Sequence, residues 1–271
     1  MPADLILGLA AGYHYGDMRP FLASLGESGF RGACVLFVSP TTRDTDRVAA
    51  HGVTLLPVSP PVGLEALPLN ALRYFLYRDL LLASTTRHGR ILLTDVRDVV
   101  FQADPFGAAW AGGLNCVLED PGTSIGTCPH NSRWVRRHLG EEALASVADR
   151  PVSCSGTVLA DHETMLAYLD AMTRRLVPFT PGERMAGYDQ GVHNILVHTL
   201  LVHNWLAHSG ALENLTLHDN DGPVLTLATT KGEPVVDAQG LVRNARGRIP
   251  AIVHQYDRKP ALFARVRARY A

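Results

Sequence analysis

Ile91-Leu92-Leu93-Thr94-Asp95-Val96-Arg97-Asp98-Val99-Val100-Phe101-Gln102 sets two carboxylates immediately after an apolar run of strand length. In an open α/β sheet, ligands bind in the crevice beyond the carboxyl ends of the strands, so Asp95 and Asp98 are expected to face a site. A carboxylate pair there suits a hard divalent cation that also binds phosphate oxygens, because Mg²⁺ and Mn²⁺ are commonly held by one or two acids plus substrate. The same acids have a plainer use, capping a following helix or pairing with Arg97. The rest of the chain decides between the two.

Upstream, Leu5 to Ala10, Ala33 to Val38 and Val53 to Val58 are apolar runs separated by polar, helix-like segments. Strands alternating with helices predict βαβ units and a parallel sheet. No Gly-x-Gly-x-x-Gly follows the first strand, which argues against a dinucleotide enzyme. Asn70 to Arg87 reads as a long helix with Leu72, Phe75, Leu76, Asp79, Leu80 and Ala83 along one stripe, leading straight into the Asp95 strand. Arg73, Tyr74, Tyr77 and Arg78 lie on or beside it; a solvated charge on a snorkelling stem suits Arg78 better than Arg73.

Downstream, Cys116 to Leu118 is a further strand, and Arg133 to Leu139 and Glu141 to Val147 read as short helices. Ser153 to Leu159 is a strand with small residues at its start, and Asp161 is the expected N-cap of the helix through Met172. Gly187 opens a helix running to about Leu201, and Leu215–Leu217, Val224–Leu227 and Ala251–Val253 are short strands. His193, His198, His203 and His208 recur every five residues, and five helical steps turn a side chain by roughly 140°, so they cannot share a face. His254 is different: it ends an apolar strand just before Arg258, Lys259 and Pro260, where it reads either as a hydrogen-bonded structural histidine or as a ligand.

The 271 residues are 46% hydrophobic and 19% charged, enough for one sizeable core, read as a single domain over 1–271. A formal net charge of −1 without a basic run excludes a broad phosphate-binding face for nucleic acid. Any anionic ligand must then be met locally. Cys34, Cys116, Cys128 and Cys154 lack zinc or redox spacing and read as reduced, mostly buried thiols. Asp4 stands where a signal peptide would be basic, and Leu5 to Ala11 is too short to span a bilayer, so no transmembrane segment and a cytoplasmic location are expected.

The acid pair after a mid-chain strand, Gly187-Tyr188-Asp189-Gln190, and His254 before Lys259-Pro260 together resemble the GT-A glycosyltransferases, nearest to the retaining, glycogenin-like branch. The resemblance spans roughly Leu5 to Pro260 by order of elements, with motif identity confined to short patches. It implies an α/β fold with a Rossmann-like mixed sheet flanked by helices. About 1–120 would be a nucleotide-sugar-binding half and about 121–271 an acceptor half with a C-terminal metal and phosphate segment. It further implies Mn²⁺, or Mg²⁺, held by Asp95, Asp98 and His254; the spacing is Asp-x-x-Asp, one residue longer than the family's Asp-x-Asp, so Asp95 would touch the metal through water or bind the donor ribose. Ala10, Ala11, Gly12 and Tyr13 would wrap the base, Arg73 face the nucleotide, Ser155 and Gly156 line the donor sugar, and Lys259 hold the phosphate. The family's glycine between His254 and Lys259 is absent, and Cys154 replaces a common Asn. Asp189 and Gln190 would lie at the anomeric carbon as the catalytic pair.

The implied activity is a hexosyltransferase-like transfer from a nucleoside-diphosphate sugar, a UDP-sugar first and a GDP-sugar second, to an acceptor contacted by Thr127–Arg150 and His203–Arg248. A haloacid-dehalogenase-type phosphatase would want an acid where Arg97 stands. A nucleotidyltransferase would want cations in the first loop, and Ala10 to Gly16 has none. A non-catalytic nucleotide-sugar-binding module is the third alternative.

Overall fold

The computed structural model describes residues 2–179, 186–203 and 214–271. Seven strands form the main sheet: β1 (Leu5–Leu9), β2 (Ala33–Val38), β3 (Thr54–Pro57), β4 (Arg90–Thr94), β6 (Leu114–Leu118), β7 (Ser153–Asp161) and β8 (Leu215–His218). Their spatial order is β3-β2-β1-β4-β7-β6-β8. Continuous apolar runs are needed because both faces are covered: Leu5, Leu7, Ile91 and Leu93 pack into one core cluster, Ile6 and Leu92 into another. The helices are α1 (Tyr15–Glu27), α2 (Thr45–Ala49), α3 (Leu69–Ala83), α4 (Pro129–Leu139), α5 (Glu141–Val147), α6 (His162–Arg175), α7 (Tyr188–His203) and α8 (Pro260–Arg269).

The sheet is mixed, not wholly parallel as the βαβ reading predicts. β7 runs antiparallel to both β4 and β6. The reason is local: Ser153 pairs with Leu118, so the excursion through α4 and α5 returns the chain to the end of the sheet it left, and the next strand must run back. The first residues of β7, not its last, therefore lie beside the carboxyl ends of β4 and β6. At its far end Asp161 caps α6, accepting from the Thr164 amide at 3.0 Å.

A smaller sheet joins β5 (Val99–Phe101), β12 (Ile252–His254) and β9 (Val224–Thr226), with β12 in the middle. A two-stranded ribbon, β10 (Val235–Val236) with β11 (Val242–Arg243), lies outside both sheets. α3 departs from its expected stripe: residues 71–77 are all buried, Ala83 is exposed, and the helix ends there instead of at Arg87. α6 and α7 pack on it as well as the sheet, and Ser84 stops it by accepting from the Thr86 amide. Among the described residues no helix is long and apolar enough to cross a membrane.

Candidate functional site

β4 delivers Asp95 to the crevice: its amide donates to the Gly156 carbonyl at 2.9 Å, the rung beyond the β4–β7 ladder. The chain then crosses to the small sheet, where Val99 stands opposite His254 and the Gln255 amide donates to the Asp98 carbonyl at 2.8 Å. Two ladders thus bring side chains from distant parts of the sequence together. One ligand atom from each of Asp95, Asp98 and His254 falls within 4.8 Å of the others. Nε2 of His254 lies 3.3 Å from Asp95 Oδ2 and 3.8 Å from Asp98 Oδ1. The imidazole is wholly buried, and Nε2 makes a hydrogen bond to neither acid, so among the described residues it is an unpartnered buried nitrogen. Nδ1 is placed by Thr157 Oγ1 at 3.2 Å and Cys154 Sγ at 3.6 Å. That leaves Nε2 for a ligand role, with the other nitrogen fixed by a neighbouring group.

Gly156 makes the room. A Cβ there would lie 2.4 Å from Asp95 Oδ2 and 2.5 Å from His254 Cε1, so only glycine lets the carboxylate and imidazole approach one space. Two carboxylates and one imidazole fit a divalent cation, and the nitrogen favours Mn²⁺ over the all-oxygen preference of Mg²⁺.

The two acids are pushed apart electrostatically. Burial raises Asp95, but the guanidinium of Arg73 and the imidazole of His254 outweigh it and hold the carboxyl well below the usual carboxylate range. Its side chain keeps 36% of its surface open, and it lines the cavity. Burial, offset by His254 and reinforced by Asp95, pushes Asp98 up to about 6. Oppositely shifted neighbouring acids are a mark of functional sites. His254 is itself raised well above its ordinary value, because Cys154 and both acids outweigh its burial.

Arg73, expected to face the nucleotide, lines the cavity and ties the site's acids together. Its Nη1 donates to Asp95 Oδ1 at 2.5 Å, and its Nη2 to Asp189 Oδ2 at 2.9 Å and the Ser155 carbonyl at 3.3 Å. Asp189 also accepts from Asn70 Nδ2 at 2.5 Å, so both its oxygens are engaged. Gln190 brackets β7: Oε1 accepts from the Ser155 amide at 2.8 Å and Nε2 donates to the Ser153 carbonyl at 2.8 Å. Asp189 and Gln190 sit in the first turn of α7 and line the same cavity as Asp95, Asp98, Ser155 and Gly156.

In the first loop Ala11 and Tyr13 line the cavity, whereas Ala10 is wholly buried, its carbonyl accepting from Thr42 Oγ1 at 2.9 Å. Gly12 makes the turn, with φ +77° and its amide donating to Ser39 Oγ at 2.9 Å. Lys259 is a correction. Its Nζ donates to the Thr230 carbonyl at 2.5 Å and the side chain is buried outside the cavity wall; Arg97 and Arg258 line the wall instead, flanking Asp257 at 3.1 and 3.5 Å. The short 3₁₀ turn Tyr256–Arg258 carries the chain round so that Lys259 caps α8.

Asn131 and Trp134, in the segment Thr127–Arg150 expected to contact the acceptor, lie on the cavity wall; Glu119, also on that wall, was passed over by the sequence reasoning. Glu119 directly follows β6 as Asp95 follows β4, and the rule that singled out Asp95 applies to it. It is buried, burial raises its pKa, and its Oε2 has no partner among the described residues. His193 and His198 are structural: the first bonds Ser153 Oγ and Tyr168 OH, the second the Pro151 carbonyl. The side chain of His203, His208 and residues 204–213 of the expected acceptor region lie outside the described residues. All four cysteines are free and buried.

These walls enclose about 740 Å³. No protein-family model and no curated protein sequence matches the chain.

Proposed function

We propose that this cavity is the site of a GT-A-type glycosyltransferase, in which a divalent cation assists transfer of a sugar from a nucleoside diphosphate to a hydroxyl acceptor. The observation that carries the reading is the convergence of Asp95, Asp98 and the unpartnered Nε2 of His254 in the crevice beyond the carboxyl ends of β4 and β6. Ligands of open α/β sheets bind at that position. A mixed sheet whose N-terminal half supplies the first loop, beside a smaller sheet whose late strand returns a histidine to mid-chain acids, accords with what the sequence resemblance implies.

In the proposed reaction the bond between the anomeric carbon and the phosphate oxygen breaks, and its electron pair leaves with the nucleoside diphosphate. The acceptor oxygen bonds to that carbon, and its proton departs with the diphosphate. A cation held by Asp95, Asp98 and His254 would supply counter-charge to the leaving group. Tyr13 offers a ring to the base, UDP first and GDP second. Arg97 and Arg258 offer cations to the phosphates. Arg73 and Asn70 hold the Asp189 carboxylate beside the sugar subsite lined by Ser155 and Gly156, where its charge would stabilise an oxocarbenium-like carbon in a retaining transfer. The absence of Lys and Arg from Ala10 to Gly16 disfavours a nucleotidyltransferase.

Hydrolysis of UDP- and GDP-sugars, followed against Mn²⁺ concentration, tests the reading. Mn²⁺-dependent hydrolysis is expected in the wild type, lost in Asp98→Asn and shifted to higher Mn²⁺ in His254→Ala, with thermal unfolding in chelator unchanged. Hydrolysis indifferent to Mn²⁺ and to both substitutions would refute it. Mn²⁺-dependent nucleotide binding without turnover would identify a non-catalytic module.

A further inference from the structure

α4 presents His130, Asn131 and Trp134 to the cavity, an i, i+1, i+4 set on one side of the helix, while Val135 anchors it in a core cluster. The indole of Trp134 is half-buried and packs against Gly187. A Cβ on Gly187 would lie 2.1 Å from its Cδ2 and 2.5 Å from Cε2 and Cε3, so the glycine backbone lies directly against the six-membered ring. Gly187 also has φ +69°, which other residues rarely adopt. The His130 ring stands 5.7 Å from that of Trp134, tilted by 40°. Next to the indole, the Asn131 carboxamide lines the cavity, donating to Cys128 Sγ at 3.3 Å and accepting from Gln190 Nε2 at 3.3 Å.

This wall adjoins Asp189 and Gln190 on the side formed by α4 and the start of α7, whereas Tyr13, Arg97 and the acid pair belong to the first loop and the β4–β5 crossing. Resting on the glycosyl-transfer reading above, we infer that Trp134, with Asn131 beside it, is the acceptor platform, and that the acceptor it fits is a saccharide. A pyranose presents a face of C–H groups with slight positive charge, which the negative face of an indole attracts, and a rim of hydroxyls, which a carboxamide with one N–H and one lone pair still free can both donate to and accept from. A rigid ring keeps the ordering cost low. An extended polypeptide would want a free strand edge or a row of apolar pockets. This wall offers instead one indole set among polar side chains inside a concave cavity.

The full chain, with UDP and Mn²⁺ present, is titrated with maltose, cellobiose, lactose and N,N′-diacetylchitobiose, and in parallel with a Ser/Thr/Tyr-containing peptide, binding being followed by saturation-transfer NMR and calorimetry. At least one disaccharide is expected to bind, with affinity falling about tenfold in Trp134→Ala, near the upper end for an aromatic contact, and largely kept in Trp134→Phe. UDP affinity in both variants reports that they are folded. Binding of the peptide alone, no disaccharide binding while UDP still binds, or wild-type affinity in Trp134→Ala overturns the inference. Loss of UDP and Mn²⁺ binding in the wild type would instead strike at the transferase reading, and disaccharide binding dependent on Trp134 would survive it.

Discussion

Gly156→Ala is the most incisive perturbation of the proposed metal site, because it adds one methyl group and removes no ligand. That methyl would lie 2.4 Å from Asp95 Oδ2, where ordinary contact begins at 3.4 Å, so the carboxylate must retreat by about 1 Å. It cannot retreat freely: its other oxygen is held by Arg73 at 2.5 Å and its amide by the Gly156 carbonyl at 2.9 Å. The carboxylate therefore swings about its Arg73-bound oxygen, carrying Oδ2 away from His254. Metal sites tolerate roughly ±0.2 Å in ligand distance, so the displacement is several times what coordination absorbs. Mn²⁺ affinity should fall by about 10- to 100-fold, the range seen when the support of a ligand is disturbed. The crowding should also cost about 1–3 kcal/mol of stability. Calorimetric Mn²⁺ titration, paired with thermal unfolding in chelator, separates the two effects. A Gly156→Ala protein that binds Mn²⁺ within twofold of wild type refutes the claim that this gap is the cation's place.

Two further predictions concern the buried charges behind the site. Arg73→Ala leaves the Asp189 carboxylate, 4% exposed, without its counter-charge, and should lower stability by about 3 kcal/mol; the Asp95 arm adds little because that carboxylate is a third exposed. Arg73→Ala/Asp189→Asn should recover much of the loss in a denaturant-unfolding cycle, and a single mutant as stable as wild type would contradict the bridge. Burial, with His198 and Arg73 adding to it, pushes His193 down to about 3 from an unfolded value near 6.5, so the fold excludes a proton that the unfolded chain accepts. Its contribution is complete above pH 6.5 and is lost as pH falls towards 3, at about 1.4 kcal/mol per unit, or roughly 2 kcal/mol by pH 5. His193→Gln should show a correspondingly shallower loss between pH 7 and pH 5, and an unchanged slope would refute the assignment.

The strands were legible because burial on both faces leaves no alternative to unbroken apolar runs: Ala33–Val38 and the core of β4 stand where the sequence puts them. β5 was not, since Val99–Phe101 is too short to separate from the run before it, and its partner β12 is far away in the sequence. The direction of β7 was hidden for a related reason: strand polarity depends on where α4 and α5 return the chain, which periodicity does not encode. Arg73 shows a third limit. A cation on a helix stripe reads alike whether it meets a ligand or two acids of the protein, and only the arrival of α7 beside α3 shows that Asp189 is its partner.

The two spacing irregularities, Asp-x-x-Asp and a lysine displaced after His254, read in the sequence as separate departures from a family pattern. In the fold they are one feature. The additional residue between the acids leaves Arg97 half exposed at the cavity wall, with its guanidinium 3.1 Å from Asp257 and its carbonyl accepting from Tyr256 OH at 3.0 Å. Asp257 and Tyr256 belong to the short turn that displaces Lys259 and brings Arg258 to the same wall. The longer acid segment and the altered histidine segment thus hold each other in place. The amine of Lys259 is taken by a carbonyl, while Arg97 and Arg258 face the cavity. A planar guanidinium recognises phosphate oxygens in pairs where an ammonium acts as a point charge, so on the proposed transferase reading Arg97 and Arg258 would meet a diphosphate with a geometry that a lysine would not supply. The contact between the two segments sets the acids, the imidazole and two cations around one space, which is what the proposed reading requires.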